Sequence, residues 1–562
     1  MTSPRSPQLA RLRPNVLALV SSYKRRDFIP DAIAGITVGL VALPLAMAFG
    51  IASGVTPQAG IYTAIVGGMI VALFGGSRMQ IAGPTGAFVV IVASIVAKHG
   101  VAGLYIVTMM AGVMLFLLGI TGLGSAVKFI PRPVIIGFTN GIAVLIASTQ
   151  IKDFLGLTMP KNPSEFFARM QTIVVQLHTV NAAAVTVGLV TIALMLLIPR
   201  LFARVPGAIV ALILVTLAAV VLKLPVETLG TRFGGIPAGL PHFAIPAFRS
   251  DLVVPLLPSA MTVAMLGAIE SLLSAVVADS MTGDRHDSNA ELAAQGVANL
   301  LSPLVGGIPV TGAIARTGTN IRAGAKSPLA GIVHALTLLA IVLVFAPLAK
   351  YIPLATLAAV LLVVAYNIGE WRELSTIFRL DKADKAVWAA TFALTVFADL
   401  TVAVGVGMAL AALLLIYRIS ATTTVSRITP EDIEDGRAHV LQNKEIPDYV
   451  TILRIHGPFL FGTTDKLLEE TSDLTAFAPV VILRLRNTTA MDATGLHALE
   501  SLSDRLKRSG RTMLLCGARL QPARLLERTE FVEHIGENNI LPNVEAALQR
   551  ARVIYETPLA IA

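Results

Sequence analysis

The sequence predicts a polytopic α-helical membrane protein followed by a small soluble α/β domain. Three observations carry this. Of 562 residues 55% are hydrophobic and only 14% charged, where soluble globular chains carry about 25% charged residues. Apolar stretches of spanning length recur from about residue 30 to 420 and then stop. And Gly83, Pro84, Thr85, Gly86, Ala87 and Phe88 in the first half are echoed by Ile308, Pro309, Val310, Thr311, Gly312, Ala313 and Ile314 in the second. Each is a Pro/Gly break followed by Thr-Gly-Ala and an apolar helix. Interrupted helices at corresponding places in two halves point to the substrate site of a repeat-built transporter.

Taken in order, residues 1–29 are polar and basic and end in Lys24, Arg25 and Arg26, which sets the N-terminus in the cytoplasm by the positive-inside rule. The first apolar segment is long and is followed at once by others, so it reads as an anchor and not a signal peptide. Apolar segments lie near 31–53, 60–75, 84–98, 101–123, 132–151, 181–200, 206–223, 252–281, 290–306, 312–325, 328–348, 352–368, 385–400 and 402–418. That makes about 14, several too short to span alone. Basic loops at Lys128 to Arg132, Arg200 to Arg204, Asp284 to Asp287 and Arg372 to Lys385, with Arg418 after the last segment, fit the same orientation. Both termini then face the cytoplasm, which requires an even number of crossings.

Thr311 follows Thr85 by 226 positions, and the same offset carries Glu270 back to Pro44. The chain therefore reads as two repeats, about 30–223 and 252–420, of about seven segments each, with 224–250 as a connecting loop. An odd number per copy inserts the copies in opposite orientations, so a 7+7 inverted repeat is expected. After a linker at 421–439, residues 440–555 alternate β-like runs (Tyr449 to Ile455, Val480 to Leu485, Thr512 to Leu515) with amphipathic stretches (Thr464 to Thr471, Gly495 to Arg508, Gln521 to Thr529, Asn543 to Arg550).

A helix that starts inside the membrane leaves its first N–H groups without partners, and these together with the helix dipole attract an anion. Thr85, Gly86, Ala87 and Phe88 and their counterparts Thr311, Gly312, Ala313, Ile314 and Ala315 are the candidate anion-binding residues. Pro84 fits before or at a first helical turn, and Thr85 and Thr311 can cap or donate a hydroxyl. Glu270 lies deep in an apolar run with no charged neighbour. Burying it ionised costs several kcal/mol, so it faces a wet cavity, finds a partner or holds a proton. Ser274, one turn on, shares its face and could join it in holding a sodium ion. Arg316 could place charge near the anion, pair with Glu270 or snorkel to the interface. Pro44 is expected to break its helix opposite Glu270, either as a kink or as part of the site lining.

Elsewhere the residues read more plainly. Asn140 and Gln150 suit interhelical hydrogen bonds, and His99 and His334 read as structural. Ser288 and Glu291 have capping-box spacing. The lone Cys516 excludes an internal disulfide and any cysteine metal cluster, and reads as a small buried hydrophobe. No metal site, cofactor or enzymatic motif stands out: there is no phosphate-binding loop, nucleophile elbow or metal-ligand cluster. The net charge of +9 is spread over loops and termini, as in membrane proteins, and does not suggest a nucleic-acid partner.

Several long stretches resemble the SulP sulfate-permease family of anion transporters. They are Gly35 to Phe49, Gly83 to Phe88, Glu270 to Ser274 and Asp279 to Asn289. The tail, with Met491 to Leu496 at a strand-to-helix turn, resembles the STAS domain that ends most members. The resemblance implies fourteen helices in core and gate domains, with short third and tenth helices whose N-termini meet at the anion site. It implies sulfate, bicarbonate, chloride, oxalate, nitrate or dicarboxylates as cargo, coupled to protons or sodium or exchanged, and a homodimer. Glu270 would be the coupling acid. Sodium–bicarbonate members carry Asp where Glu270 stands and Thr where Ser274 stands, which favours protons. Thr494 occupies the place of the phosphorylatable residue of STAS anti-sigma antagonists, with Asp492 beside it.

The expected function is secondary active anion transport across a bacterial inner (plasma) membrane, with protons as coupling ion. The alternatives are sodium-driven bicarbonate symport and an uncoupled exchanger or channel.

Overall fold

The computed structural model describes residues 14–15, 23–122, 131–159, 163, 165–202, 206–235, 239–240, 243–246, 249–398, 400–428 and 446–556. Most of the polar N-terminus, the basic stretches 123–130 and 203–205, parts of the 224–250 loop and linker residues 429–445 lie outside them. The chain divides into two compact units, Met1–Ala409 and Leu410–Ala562.

The first unit is helical. Its first half holds α1 (Phe28–Ala52), α2 (Pro57–Phe74), the two-residue strand β1 (Ala82–Gly83), α3 (Gly86–Ile120), α4 (Arg132–Leu155), α5 (Phe166–Gln176), α6 (Ala182–Leu201) and α7 (Gly207–Val221). The short α8 (Leu229–Phe233) lies in the connecting loop. The second half holds α9 (Val253–Thr282), α10 (Ser288–Leu301), β2 (Thr311–Gly312), α11 (Ile314–Arg322), α12 (Leu329–Ala349), α13 (Leu354–Ile368), α14 (Glu373–Ile377), α15 (Lys382–Phe397) and the first part of α16 (Leu400–Thr422). Among the described residues, nine helices are long and apolar enough to cross a membrane.

Each expected apolar segment coincides with a helix. The segments 84–98 and 101–123 join as α3, which is broken at Gly100 by φ +69° and ψ −177°. Glycine adopts that backbone without a steric penalty. Not foreseen was α5, an 11-residue amphipathic helix. Pro44 does not break α1, which runs on across it. Proline removes one ladder hydrogen bond, and the buried surroundings of Ala42 to Gly50 hold the helix through that loss.

Packing exchanges the halves reciprocally. Helix α1 packs on α12, and its counterpart α9 packs on α3. Helix α2 packs on α12, and its counterpart α10 packs on α3. Helix α4 packs on α15, and α13 on α6. Equivalent helices contacting equivalent helices across the halves is the pattern of a two-fold inverted repeat. Small residues permit the closest crossings. A Cβ on Gly296 of α10 would lie 2.5 Å from the Phe116 amide nitrogen and 2.7 Å from the Gly112 carbonyl oxygen of α3. Backbone cannot yield as a flexible side chain can. Gly296→Val is therefore expected to lower stability by about 1–3 kcal/mol or more, read as a fall in melting temperature and in monodisperse yield after detergent extraction. A variant with parental melting would contradict this packing.

The second unit carries a five-stranded sheet in the order β3-β4-β5-β6-β7, formed by β3 (Thr424–Ile428), β4 (Val450–His456), β5 (Val480–Asn487), β6 (Thr512–Cys516) and β7 (Ile540–Leu541). β3 is antiparallel to β4 and the other pairs are parallel. Helices α17 (Thr464–Glu470), α18 (Ala493–Arg508), α19 (Leu520–Arg528), α20 (Phe531–Ile535) and α21 (Val544–Glu556) complete it. Leu499, Leu502 and Leu506 of α18 fill one face of the sheet, and Val544, Ala547 and Ala551 of α21 cover the other. β3 falls inside the stretch expected to be linker. It pairs along its whole length with β4, so the sheet begins before residue 440.

Candidate functional site

The two Thr-Gly-Ala echoes meet. β1 and β2 pair antiparallel, with Ala82 opposite Gly312 and Gly83 opposite Thr311. Continuing that register by one residue sets Pro84 opposite Val310, and these two are 226 positions apart. The offset read from the sequence is therefore the one that places a local two-fold between the strands. From this crossing α3 departs in one half and α11 in the other.

At the α3 end Thr85 is the N-cap residue, but its side chain caps nothing. Its hydroxyl donates to Glu270 Oε2 at 2.7 Å. The first-turn N–H groups of Gly86 and Ala87 therefore keep no side-chain partner. A Cβ on Gly86 would come within 2.6 Å of Ile368 Cδ1, 3.1 Å of Ile146 Cδ1 and 3.4 Å of Phe49 Cε1, so apolar side chains from α13, α4 and α1 wall this end. Phe88 is buried and packs on Gly267.

The α11 end differs from expectation. The helix starts at Ile314 with Ala313 as N-cap and no side-chain cap. Thr311 lies three residues upstream in β2, so it is not the cap. Its hydroxyl donates to the Gly267 carbonyl at 3.1 Å and contacts Ser271 Oγ at 2.9 Å. Strand pairing takes up the backbone here, which moves the helix start downstream. The Gly312 N–H donates to Ser271 Oγ at 3.0 Å and the Ala313 N–H to the Ile81 carbonyl at 2.8 Å. Ile314 and Ala315 are exposed, and their N–H groups head the helix.

Ser274 does not join Glu270. Its hydroxyl donates to Thr317 Oγ1 at 3.1 Å, and Thr317 Oγ1 in turn accepts the Ile81 N–H at 3.0 Å. Gly267, Ser271 and Ser274 thus form a row along α9 that stitches it to β2 and α11, while Glu270 points from the adjacent face toward Thr85. Sequence reasoning missed Ser271 and Thr317. Ser271 stands three residues before Ser274, a spacing visible in the sequence, but neither it nor Thr317 had a partner until the helices were placed.

Arg316 is 3% exposed. One of its terminal nitrogens donates to the Pro84 carbonyl across the two-fold, and the other, Nη1, has no hydrogen-bond partner. A Cβ on Gly83, whose φ is +153°, would sit 2.8 Å from that Nη1, so the glycine makes room for the guanidinium. Arg316 lies within electrostatic range of Glu270 and of buried His334. Of the three alternatives open for Arg316, burial removes snorkelling and leaves charge beside the two helix starts or toward Glu270. Pro44 is buried within α1.

Behind the site, Glu291 is fully buried. Instead of a capping box with Ser288, the cap of α10 is Asp287, which accepts from the Asn289 and Ala290 N–H groups at 3.0 and 3.1 Å. Glu291 accepts from the N–H groups of Gly76 and Ser77 at 3.0 and 3.2 Å, and from Gln80 and Gln295 at 2.7 and 3.0 Å. Four neutral donors satisfy the carboxylate and anchor the loop that leads into β1. Asn140 bridges helices by donating to the Gly369 carbonyl and accepting from Trp388 Nε1 at 3.0 Å. Gln150 does not bridge helices: it donates to its neighbour Thr149 at 2.7 Å. In the second unit Thr494 is exposed in the first turn of α18, where Asp492 accepts the Gly495 N–H at 2.9 Å.

Comparison with known proteins agrees with this architecture. Residues 28–391 match the Sulfate permease family and residues 442–547 the STAS domain. The chain is 44% identical over 520 residues to the putative sulfate transporter YvdB of Bacillus subtilis, covering 92% of this chain and 96% of that one. It is 32% identical over 540 residues to the bicarbonate transporter BicA of Picosynechococcus sp., covering 94% and 95%. The fold matches the structure of SLC26A9 with a TM-score of 0.85 over 96% of this chain and 93% of that one, at 19% identity. With two half-helices meeting on a two-fold and a sheet domain after them, the chain belongs to the sulfate permease family of membrane transporters and carries a STAS domain at its C-terminal end.

Proposed function

We propose that the chain carries small oxyanions or carboxylates across the membrane by alternating access, with a proton on Glu270 as the coupling ion. Supporting observations begin with the meeting of two uncapped helix starts beside a buried guanidinium that has one unpartnered terminal nitrogen. N-terminal dipoles and a guanidinium all favour a negative charge. Relatives named as sulfate and bicarbonate transporters fit that cargo.

Coupling follows from charge. An anion in the cradle and an ionised Glu270 would be two negative charges in a low-dielectric space, served by one cation, Arg316. Protonating Glu270 removes the repulsion, so anion and proton enter together. Thr85 transmits the state directly. Its hydroxyl donates to the carboxylate, and it can turn to accept once the carboxyl holds a proton. Ser274, engaged with Thr317, leaves Glu270 with fewer oxygens at hand than a sodium site wants. Fourteen crossings with both termini cytoplasmic, Pro44 as part of the lining, a homodimer, and Thr494 as a phosphorylation site belong to the same proposal.

The test is uptake of labelled sulfate, bicarbonate and dicarboxylates into proteoliposomes, at two external pH values and with or without sodium. Accumulation that follows an inward proton gradient and ignores sodium is expected. Accumulation that requires sodium at every pH would replace the proton with sodium, and conductance without accumulation would make the protein a passive pathway.

A further inference from the structure

Between α13 and α14 the chain turns through an elbow beside the cradle. Gly369 closes α13, and Glu370 follows it with a φ of +41°. Among the described residues, Lys223 is the one other non-glycine residue with a positive φ. A residue with a Cβ adopts that backbone at a steric cost that glycine avoids. Such strain persists where the surroundings impose it, and it gathers at functional sites.

The surroundings here hold the elbow from both sides. Asn140 of α4 donates to the Gly369 carbonyl and accepts from Trp388 Nε1 of α15. The Trp371 ring folds back over Gly369, where a Cβ would collide with it. Both tryptophans of the chain therefore flank this one turn. Its place relative to the cradle follows from its neighbours. Ile368, two residues before Glu370, carries the Cδ1 atom that walls the Gly86 end. Ile146 is the second wall of that end, and Asn140 precedes it by six residues on α4. Six residues span about 9 Å of helix, so Glu370 stands about 9 Å from the helix starts, toward the face on which α4 begins. That face is cytoplasmic in the topology proposed above.

The charge of Glu370 is uncompensated. Glu373 and Arg132 lie within electrostatic range of it, but they are paired with each other at 2.9 Å. Glu370 is exposed, and among the described residues its carboxylate makes no hydrogen bond or ion pair. Arg372, two positions on in the turn, forms no ion pair with it. A fixed, unpaired carboxylate thus stands at the mouth of a site that attracts anions. It cannot help an anion to bind, but its repulsion grows with the charge that the anion carries.

We propose that Glu370 is a specificity-determining residue: a charge filter, held in place by the strained elbow, that disfavours doubly charged anions relative to singly charged ones. The proposal rests on the reading of the chain as an anion carrier and not on proton coupling. At about 9 Å, with an effective dielectric constant of about 20 to 80, one fixed charge changes affinity by about 2- to 20-fold for each charge on the anion. Sulfate and nitrate, both small oxyanions, differ by one such charge. Glycine would serve the turn alone without strain. The glutamate adds a charge to it.

Two measurements on the full-length protein in detergent test it. The first reads the charge without any bound substrate. Trp371 and Trp388 are the only tryptophans, so their fluorescence reports on the elbow. It is quenched with iodide, caesium and neutral acrylamide at constant ionic strength. Glu370→Gln is expected to raise the ratio of the iodide to the caesium quenching constant by at least about twofold, with acrylamide quenching unchanged. The second reads the preference. Dissociation constants for sulfate and nitrate are taken from the rise in melting temperature that each ion gives. Glu370→Gln is expected to tighten sulfate about 2- to 20-fold more than nitrate. Glu370→Gly, which relaxes the backbone, should repeat the glutamine result, and Glu370→Asp, which keeps the charge, should retain the parental preference. An unchanged quenching ratio, equal tightening of the two ions, or loss of the preference in Glu370→Asp would each overturn the filter and leave the anion site standing. A parent stabilised by neither ion would remove the anion reading, and the filter with it.

Discussion

Glu270→Gln is expected to abolish proton-driven accumulation while leaving anion exchange within about tenfold of the parent. Glutamine has the shape of the protonated acid and keeps an oxygen to accept from the Thr85 hydroxyl, which now donates at 2.7 Å. It loses only the ability to bind and release a proton. With the membrane potential clamped, one proton per anion sustains about tenfold accumulation per pH unit, since a pH unit is about 1.4 kcal/mol. In the variant the inside-to-outside ratio should fall to one at every gradient. Exchange of internal for external anion, which needs no net proton movement, should continue. A variant that still accumulates tenfold per pH unit would remove Glu270 from coupling, and one that loses exchange as well would make the carboxylate a structural partner of Thr85.

Arg316→Gln is the second large effect. The guanidinium joins the two halves through the Pro84 carbonyl and offers a free Nη1 toward the space left by Gly83. Hydrogen bonds to charged groups contribute about 1.5–3 kcal/mol each, which corresponds to roughly 10- to 150-fold in KM. Maximal rate should change less, because the helix starts remain in place. Arg316→Lys should fall between, as a point charge cannot reach the carbonyl and the anion at once. Removing the arginine also leaves Glu270 without its cation, so failure to fold is one outcome of the single variant. The double variant Glu270→Gln/Arg316→Gln removes both charges together. It should fold and exchange, with KM still raised. Parental KM in the double variant would mean that Arg316 serves the fold and not the anion.

Much of the architecture was legible from residue pattern alone. Long apolar runs fix helices in lipid because their backbone must be satisfied within the segment, and the observed helices lie within a few residues of those runs. The echo at Thr85 and Thr311 was legible because two short Pro/Gly breaks stand out in an apolar background. What could not be read was every feature decided by a neighbour distant in sequence. The Ser288–Glu291 spacing suggests a local cap, but Glu291 finds stronger company in Gly76 and Ser77, more than 200 positions away. Thr311 looks like a cap until β1 claims its backbone. Helix α5 is amphipathic and short, so hydropathy passes over it.

The central claim is that an anion rests between the amide ends of α3 and α11. The most direct measurement is a structure of the protein prepared in selenate, with anomalous scattering used to locate the ion. The account predicts a peak within hydrogen-bond reach of the Gly86 and Ala87 N–H groups on one side and of Ile314, Ala315 and Arg316 Nη1 on the other, absent from Arg316→Gln. A selenate peak elsewhere in the membrane unit, with none between those two helix starts while transport of the same ion persists, would contradict it.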